Sequence, residues 1–372
     1  MPPDCRSIAP PGWPPDAEGT PLSALKLLIV KPSSLGDILH TFPAVAELHA
    51  AMPEAQVSWV ANDTLAPIVR LYPRLERVIP FPRKALGKFD LRRLREFLRE
   101  LRQDEYDAVL DFQGLLRSAL MSRFAKTARR FGFANAREGA PLAYDHAVKL
   151  PPQLKHAADK NRFLAREFLR SQGVEPAETA PEPALVLPEE WRSQADAVLR
   201  EHRLENAPLL AVGCASRWES KSWSPEFFAE VLRLVRRRHP EIRIWLLGSP
   251  EEAQRAQEVC ECAKLEGMVN LAGKTTLGAL AAMLARSNVL FTNDSGPMHI
   301  AAALQVPCVA NFGATDPEKT GPYGPPGRHY VVRSQCPKAP CFRRECPLND
   351  RLACSRLANA EEAANAILER MI

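Results

Sequence analysis

The sequence predicts an α/β protein made of two tandem Rossmann-like domains, each a doubly wound parallel sheet, with a cleft between them. Three observations predict this. The 372 residues exceed the size at which a single hydrophobic core usually stops growing. Buried-strand patterns alternate with helical patterns, and this alternation occurs twice, on either side of a proline-rich segment at 176–188. Ligands of such sheets bind beyond the carboxyl ends of the strands, so we expect the site in the cleft.

The first cycle of strands and helices runs from residue 25 to residue 125. The apolar run at 25–30 predicts a buried strand, and residues 38–51 predict a helix that stops before Pro53. Further strands are predicted at 57–60, 78–81 and 108–111, and further helices at 64–71, 91–102 and 115–125. Such alternation is typical of a parallel sheet that is covered on both faces.

The second cycle follows the proline-rich segment. Strands are predicted at 209–212, 242–247, 268–270, 289–292 and 306–311, and helices begin near Ser224, Glu251, Leu277 and Pro297. The proline in Ser224-Pro225-Glu226 suits the first turn of a helix that Ser224 caps. These patterns predict domains at 22–183 and 184–358, a disordered proline-rich tail at 1–21, and a final helix within 359–372.

Composition and charge restrict the kind of partner. The net charge of +5 favours phosphates or an acidic glycolipid and does not demand nucleic acid. No apolar run approaches the roughly 18 residues that cross a bilayer, so any membrane contact is expected to be peripheral. The leucines of the predicted helix at 91–102 fit a membrane surface or, preferably, the flank of the sheet. Nine cysteines, five of them scattered, favour a reducing compartment, the cytoplasm.

The loop after the first strand, residues 31–37, ends in a carboxylate at a helix start. Its single glycine, Gly36, excludes the three-glycine turn of dinucleotide enzymes. Asp37 has two interpretations, because a first-turn carboxylate complements the helix dipole and an ionised carboxylate facing the cleft is suited to act as a general base.

Two loops of the second half carry groups suited to a nucleotide. Lys221, between a strand and the helix at Ser224, is either a phosphate ligand or a solvated lysine. Glu252 follows the next strand and is either a ribose ligand or an ordinary first-turn acid.

The strongest local signal is the polar turn at 292–299, between two apolar segments. It directs Asp294 and Ser295 toward the cleft, and ligand binding is favoured over a purely structural Asx-turn. His299 alone is more typical of a hydrogen-bonded core residue.

A cysteine cluster lies late in the chain, at Cys336, Cys341, Cys346 and Cys354. Four thiolates suit structural zinc, but these spacings are wider than those of common zinc knuckles. Disulfides and free thiols remain alternatives, and no metal is the preferred prediction.

Three blocks together resemble the ADP-heptose:lipopolysaccharide heptosyltransferases of glycosyltransferase family nine: residues 33–41, Lys221-Ser222-Trp223, and residues 292–299. The similarity runs from about Leu25 to the C-terminus. It implies a GT-B fold with an N-terminal acceptor domain and a C-terminal ADP-heptose domain. It also implies that the helix at 360–372 returns toward the first domain.

The resemblance also implies roles for individual residues. Asp37 corresponds to the general base, Lys221 to the phosphate-binding lysine and Glu252 to the ribose-binding acid. The remaining donor-side residues are Ser216, Asp294, Ser295, Gly296 and His299, and the acceptor-side residues are Ser34, Gly36, Gln113 and Arg137.

The implied activity is an inverting transfer that needs no metal or cofactor. The expected partners are a nucleotide-sugar donor, a lipopolysaccharide core acceptor and the cytoplasmic face of the inner membrane. No D-x-D triplet is present, and Lys221 with helix amides is expected to offset the diphosphate charge. The alternatives are another GT-B nucleotide-sugar transferase or epimerase, a non-catalytic GT-B binding protein, and a nicotinamide-dependent oxidoreductase, which the missing glycines disfavour.

Overall fold

The computed structural model describes residues 25–371 except 88–89, 180, 347 and 349–352. The tail predicted at 1–21 lies outside these residues. The described chain forms two six-stranded sheets in which every strand pair is parallel, which confirms the predicted fold class. No helix within the described ranges is both long enough and apolar enough to span a bilayer.

The first sheet has the strand order β3-β2-β1-β4-β5-β6. Its strands are β1 (Lys26–Val30), β2 (Gln56–Asn62), β3 (Leu75–Phe81), β4 (Ala108–Asp111), β5 (Arg130–Phe133) and β6 (His146–Val148). Strands β5 and β6 were not predicted from the sequence. The order reverses between β1 and β4, and in sheets of this kind the ligand crevice opens beyond the carboxyl ends at that point.

Seven helices accompany the first sheet in the described residues. They are α1 (Leu35–Leu39), α2 (Phe42–Ala51), α3 (Ala66–Val69), α4 (Arg83–Gly87), α5 (Leu91–Leu101), α6 (Leu116–Phe124) and α7 (Ala157–Ser171). The single helix predicted at 38–51 is wrong, because the chain breaks at His40–Thr41 and Pro43 occupies the first turn of α2. A proline there suits a helix start, whereas in a continuous helix its ring would clash with the carbonyl four residues earlier.

The second sheet repeats the order of the first, strand for strand, as β12-β11-β10-β7-β8-β9. Its strands are β7 (Leu209–Gly213), β8 (Arg243–Leu246), β9 (Val269–Asn270), β10 (Val289–Asn293), β11 (Cys308–Phe312) and β12 (Tyr330–Arg333). Of these, only β12 was not predicted. The switch point of this sheet lies between β7 and β10, the strands that precede the Lys221 loop and the 292–299 turn.

The helices of the second half are α8 (Glu189–Glu201), α9 (Pro225–Arg238), α10 (Ala253–Ala263), α11 (Leu277–Ala285), α12 (Gly296–Ala303), α13 (Pro317–Thr320), α14 (Ala353–Arg356) and α15 (Ala360–Arg370). Four of them, α9 to α12, begin within two residues of their predicted starts, whereas α8, α13 and α14 were not predicted. The side chain of Ser224 caps α9 by accepting a hydrogen bond from the amide of Phe227 at 3.2 Å.

The final helix does not return to the first domain, so that expectation was wrong. Helix α15 packs against α9, and Ala363, Ala364 and Ile367 are buried in the core beneath the second sheet. Arg238 of α9 forms an ion pair with Glu361 at 2.6 Å. The alanine-rich face of α15 fits closely over the sheet, which explains its placement. The domain limits 22–183 and 184–358 stay predictions, and the described part of 176–188 contains no helix or strand.

Candidate active site

The short helix α1 fixes the carboxylate that sequence analysis proposed as a base. The Oδ2 atom of Asp37 accepts hydrogen bonds from the amide of Ser34 at 3.0 Å and from its hydroxyl at 2.8 Å. The hydroxyl of Thr41 donates to the carbonyl of Asp37 at 2.8 Å, and Asn161 of α7 donates to that hydroxyl at 3.0 Å. Helix α1 is therefore tied to α7 at its far end.

A cavity of about 270 Å³ opens at the carboxyl edge of the first sheet. Asp37, Gln113 and Arg137 line it together with Lys31 and Lys160. The structure thus brings three of the predicted site residues to one cavity, together with two lysines that were not predicted there. Of the remaining acceptor-side predictions, Ser34 caps the helix that carries Asp37, whereas Gly36 faces the second domain.

The loop that carries Gln113 is organised by Asp111, which ends β4. One carboxylate oxygen of Asp111 accepts hydrogen bonds from the amides of Gln113 at 2.9 Å and Gly114 at 3.1 Å. The hydroxyl of Tyr144 donates to the other oxygen at 2.8 Å. Asp111 is fully buried, and this burial raises its pKa above the usual value. Asp111 is therefore a support for the cavity wall, and the amide of Arg137 joins the same loop at the carbonyl of Gly114.

A buried lysine lies beneath this cavity. Lys31 is 6% exposed, and its Nζ donates to the carbonyl of Phe112 at 2.7 Å. Burial lowers the pKa of Lys31, while the carboxylates of Asp37 and Asp111 act in the opposite direction. Lys31 is therefore a buried support below Asp37, held by the carbonyl of Phe112.

The second sheet presents a paired carboxylate at its own switch point. Asp294 accepts from Lys221 at 2.6 Å and from the hydroxyl of Thr315 at 2.6 Å. Lys221 also lies 4.8 Å from the ring centre of Trp218. The side chain of Lys221 is only 18% exposed, so it is held in place and does not extend into solvent.

The other residues predicted for the donor side differ in how close they lie to the pair of Lys221 and Asp294. Ser216 donates from its hydroxyl to the carbonyl of Asp294 at 3.2 Å, and the hydroxyl of Ser295 lies 3.3 Å from that of Thr292. Glu252 accepts a hydrogen bond from the amide of Ser249 at 2.8 Å, as an ordinary first-turn acid does.

Glu252 nevertheless lies at the same edge of the second sheet. Burial raises the pKa of Cys214, the residue after β7, to about 12, with Glu252 adding to the shift and Arg255 opposing it. Arg255 also donates to the carbonyl of Trp223 at 2.7 Å and joins α10 to the Lys221 loop.

The two domains meet where α1 lies against α12. Gly36 makes this approach possible, because a Cβ atom on it would lie only 2.5 Å from Cδ2 of His299. Across the same contact, a Cβ on Gly296 would lie 3.0 Å from the side chain of Leu35. The ring of His40 packs edge-on against His299 with 4.6 Å between centroids.

His299 connects the two candidate half-sites electrostatically. Burial lowers its pKa to about 4, Asp294 and Asp37 oppose that shift, and Lys221 adds to it. Groups from both domains therefore surround one imidazole, which is neutral at pH 7. Its Nδ1 is buried and has no hydrogen-bond partner within the described residues, so the expected hydrogen-bonded core histidine is not found.

Several residues of this junction carried no signal in the sequence. His156, which caps α7, packs against His40 at 5.0 Å and against Tyr323 at 4.9 Å between ring centroids. Asn161 joins α7 to the carbonyl of His40 at 3.1 Å. The chain brings these residues together from three distant segments, so only tertiary structure reveals them.

The cysteine cluster forms a separate feature. The four thiols, from Cys336, Cys341, Cys346 and Cys354, line one small cavity of about 10 Å³. Burial raises the pKa of Cys354 to about 11, and the other three cysteines add to this shift. Across the described ranges, no three His, Cys, Asp or Glu side chains are arranged to hold a metal ion. The zinc alternative stays a prediction.

Comparison with known proteins points to one family. Residues 94–351 match the model described as glycosyltransferase family 9 (heptosyltransferase). Lipopolysaccharide heptosyltransferase 1 of Pseudomonas aeruginosa is 31% identical over 334 residues, which cover 87% of each chain. The protein of the same name from Escherichia coli K12 is 32% identical over 314 residues, 81% of this chain and 91% of that one.

Solved structures agree with the fold. The structure described as E. coli heptosyltransferase WaaC with ADP has a TM-score of 0.73 and 28% identity, and it covers 93% of this chain and 100% of its own. E. coli ADP-heptose lps heptosyltransferase II also has a TM-score of 0.73, at 21% identity over 93% of this chain and 98% of that chain, and shows the fold alone. These likenesses confirm the expected GT-B arrangement.

Proposed function

The chain belongs to glycosyltransferase family 9, the heptosyltransferases, and from that premise we propose that it transfers heptose from ADP-heptose to a sugar of the lipopolysaccharide inner core, a Kdo residue or a heptose. The observation that carries the proposal is the shared surroundings of His299, which Asp37 approaches from one domain and Lys221 with Asp294 from the other. The relatives support the donor, since WaaC structures are described with ADP and with ADP-2-deoxy-2-fluoro heptose.

The donor diphosphate binds at the edge of the second sheet. Lys221 is positioned by Asp294 and by the face of Trp218, so it meets the phosphates without first losing side-chain freedom. Helix α9 begins four residues after Lys221, and the positive end of its dipole favours negative charge nearby. Lysine and amides together stabilise the charge that develops on the leaving ADP. Glu252 accepts hydrogen bonds from the ribose.

The acceptor sugar enters the cavity at the edge of the first sheet, where Gln113 and Arg137 orient it. Asp37 takes the proton from the attacking hydroxyl as that oxygen bonds to the anomeric carbon. The bond from the anomeric carbon to the phosphate oxygen breaks on the opposite face, and the electron pair leaves with ADP. A single displacement of this kind inverts the anomeric configuration.

The reaction needs no divalent ion on this account, because Lys221 and the helix amides supply the positive charge that a metal would otherwise provide. Activity that persists unchanged after EDTA treatment and dialysis is the expected result. Loss of turnover with EDTA, restored by added Mg²⁺ or Mn²⁺, would show that the charge is supplied by a metal instead. We place the enzyme in the cytoplasm, at the inner face of the membrane that holds its acceptor.

The decisive experiment is a mass-spectrometric transfer assay with ADP-heptose and truncated lipopolysaccharide cores that end in Kdo or in heptose. The expected product is the acceptor plus one heptose, with release of ADP. Parallel reactions with UDP-sugars separate this activity from that of another nucleotide-sugar transferase or an epimerase. Tight binding of ADP-heptose without any transfer would identify a non-catalytic binding protein and overturn the proposal.

A further inference from the structure

Helix α6 carries three of its four large apolar side chains on the outside. Leu116, Leu120 and Phe124 follow each other at intervals of four residues, which places them on one helix face, and they are 49%, 47% and 46% exposed. The buried side consists of Ser118, Ala119, Met121 and Ser122, so Met121 is the one large apolar side chain of the helix that faces the core. A helix that only flanks a sheet turns most of its large apolar side chains toward the core.

A neighbouring turn extends this apolar face. Leu142 is 94% exposed, in a short 3₁₀ helix that packs beside α6. The segment before that turn is joined to the start of α6, because the carboxylate of Glu138 accepts a hydrogen bond from the amide of Leu116 at 3.1 Å. Four large apolar side chains thus project from adjacent elements. Contiguous patches of this kind commonly mark a surface that another body covers.

The same segment concentrates positive charge. Residues 113–143 contain six lysines and arginines and one acid, Glu138. Arg130 is buried and paired with Asp145 at 3.2 Å, so five cations remain against Glu138. Arg117 and Arg123 belong to α6 itself, and Arg117 lies close enough to Arg83 for the two charges to interact. Apolar side chains flanked by cations match a surface that is apolar inside and anionic outside.

This surface adjoins the acceptor cavity. Gln113 and Gly114 line the cavity and lead directly into α6, while Arg137 lines it and leads into the turn of Leu142. A body that covers the apolar face therefore lies next to the entrance through which an acceptor reaches Asp37.

We propose that Leu116, Leu120, Phe124 and Leu142 form a docking surface for an anionic lipid bilayer, with their side chains in the headgroup boundary and the neighbouring arginines on lipid phosphates. The inference extends the proposed function by naming where a membrane-held acceptor is met. A second copy of the chain is a poorer occupant, because a two-fold contact through this face would bring like charges together.

Vesicle flotation tests the surface directly. The wild-type protein is mixed with vesicles of phosphatidylcholine alone or with phosphatidylglycerol, and the bound fraction is measured at low and high salt. We expect binding to the anionic vesicles that weakens with salt. The triple variant L116S/L120S/F124S should bind at least about tenfold more weakly, since it loses three inserting side chains. The matched control V186S/L357S removes two other exposed apolar side chains, 49% and 42% exposed, and should bind as wild type does.

Each outcome has a defined meaning. Equal binding by the wild-type and triple-variant proteins, or no wild-type binding, overturns the docking surface. A concentration-dependent dimer that only the triple variant loses, measured by analytical ultracentrifugation, would assign the face to a second copy and also overturn it. Transfer to a water-soluble core without acyl chains should be unchanged in the triple variant, which shows that it is folded. If wild type binds vesicles but transfers no sugar, the proposed function fails and the docking surface stands.

Discussion

The two sheets have the same strand order, yet the carboxylates at their switch points are held in different ways. Asp37 accepts hydrogen bonds from the amide and hydroxyl of Ser34 and forms no ion pair with any described residue. Asp294 binds Lys221 at 2.6 Å. A carboxylate whose partners are neutral donors is available to accept a proton from a substrate. A carboxylate paired with a lysine instead serves to position that lysine. Topology places both groups, and the partner of each decides its role.

The largest expected effect follows from removing the first carboxylate. Asp37→Asn keeps the size of the side chain and an oxygen for Ser34, but it cannot take a proton. We expect turnover to fall at least about a hundredfold, the loss typical of missing general-base help. Affinity for ADP should remain, as measured by calorimetry. Near-normal turnover in this variant would contradict the difference between the two carboxylates. Asp37 would then have a structural role, as Asp294 does.

The second effect concerns the lysine that the other carboxylate holds. Lys221→Met removes a cation from the diphosphate site and leaves Asp294 buried without its charge partner. We expect ADP affinity to fall by roughly tenfold or more, since charged contacts of this kind contribute about 1.5–3 kcal/mol. Calorimetry with ADP measures it, and D37N serves as the control with intact affinity. Unchanged ADP binding would remove Lys221 from the donor site.

The third effect tests how the half-sites are brought together. Gly36→Ala places a methyl group within 2.5 Å of the His299 ring, in a packed contact that must then shift. We expect kcat/KM to fall by about tenfold, because small displacements of reacting groups are costly. Gly296→Ala is the matched control, with 3.0 Å to the flexible end of Leu35, and should have a smaller effect. An equal fall of kcat/KM in both variants would show that the close approach of Gly36 to His299 does not by itself determine activity.

The smallest effect is a dependence of stability on pH. His299 has a pKa of about 4 in the folded chain against an ordinary value of 6.5, so the unfolded chain takes up the proton first as pH falls. Its contribution to stability is complete above pH 6.5 and is lost as pH falls toward 4. We expect the Tm of both proteins to fall between pH 7.5 and pH 5. The fall should be smaller for H299Q than for wild type, by a few degrees.

The control for this prediction is H239Q, because the His239 side chain is half exposed and lies far from the junction in sequence. It should follow the wild-type melting curve at both pH values. If the Tm of H299Q and that of wild type fall by the same amount, His299 does not titrate as a buried group. The argument for an electrostatic link between the two half-sites would then lose its support.

Much of this fold was predictable from the sequence, because nine strands are short apolar runs bounded by turns. The three missed strands are short, and each has a charged or polar residue at one end. Strand β5 has four residues and begins with Arg130, β6 has three and begins with His146, and β12 has four and ends with Arg333. Helix α7 was missed because His156 caps it in place of the usual serine, threonine or aspartate.

The site was predictable only in part. Asp37, Lys221 and the 292–299 turn stand out because polar groups follow apolar strands, and their roles came from a family resemblance. Lys31, His156 and Thr315 support the same site, but each reaches it through tertiary packing that local patterns do not encode. The packing of α15 on the second domain was missed for the same reason. An alanine-rich helix face can pack against many surfaces, so the sequence alone does not select one.

The placement of α15 on the second domain has a mechanical consequence. Because the last helix does not cross back, the described chain passes between the lobes once, through 172–188. A single tether permits twisting as well as hinge-like opening, whereas two crossings would confine the motion to one axis. One proteolytic nick in that tether would leave the lobes joined by non-covalent contacts alone. Among the described residues these include the face where α1 meets α12, the ion pair of Lys155 with Glu318 at 2.7 Å, and the hydrogen bond from the Tyr323 hydroxyl to Asp159 at 2.7 Å. The combined strength of these contacts could then be measured as an ordinary association between two fragments.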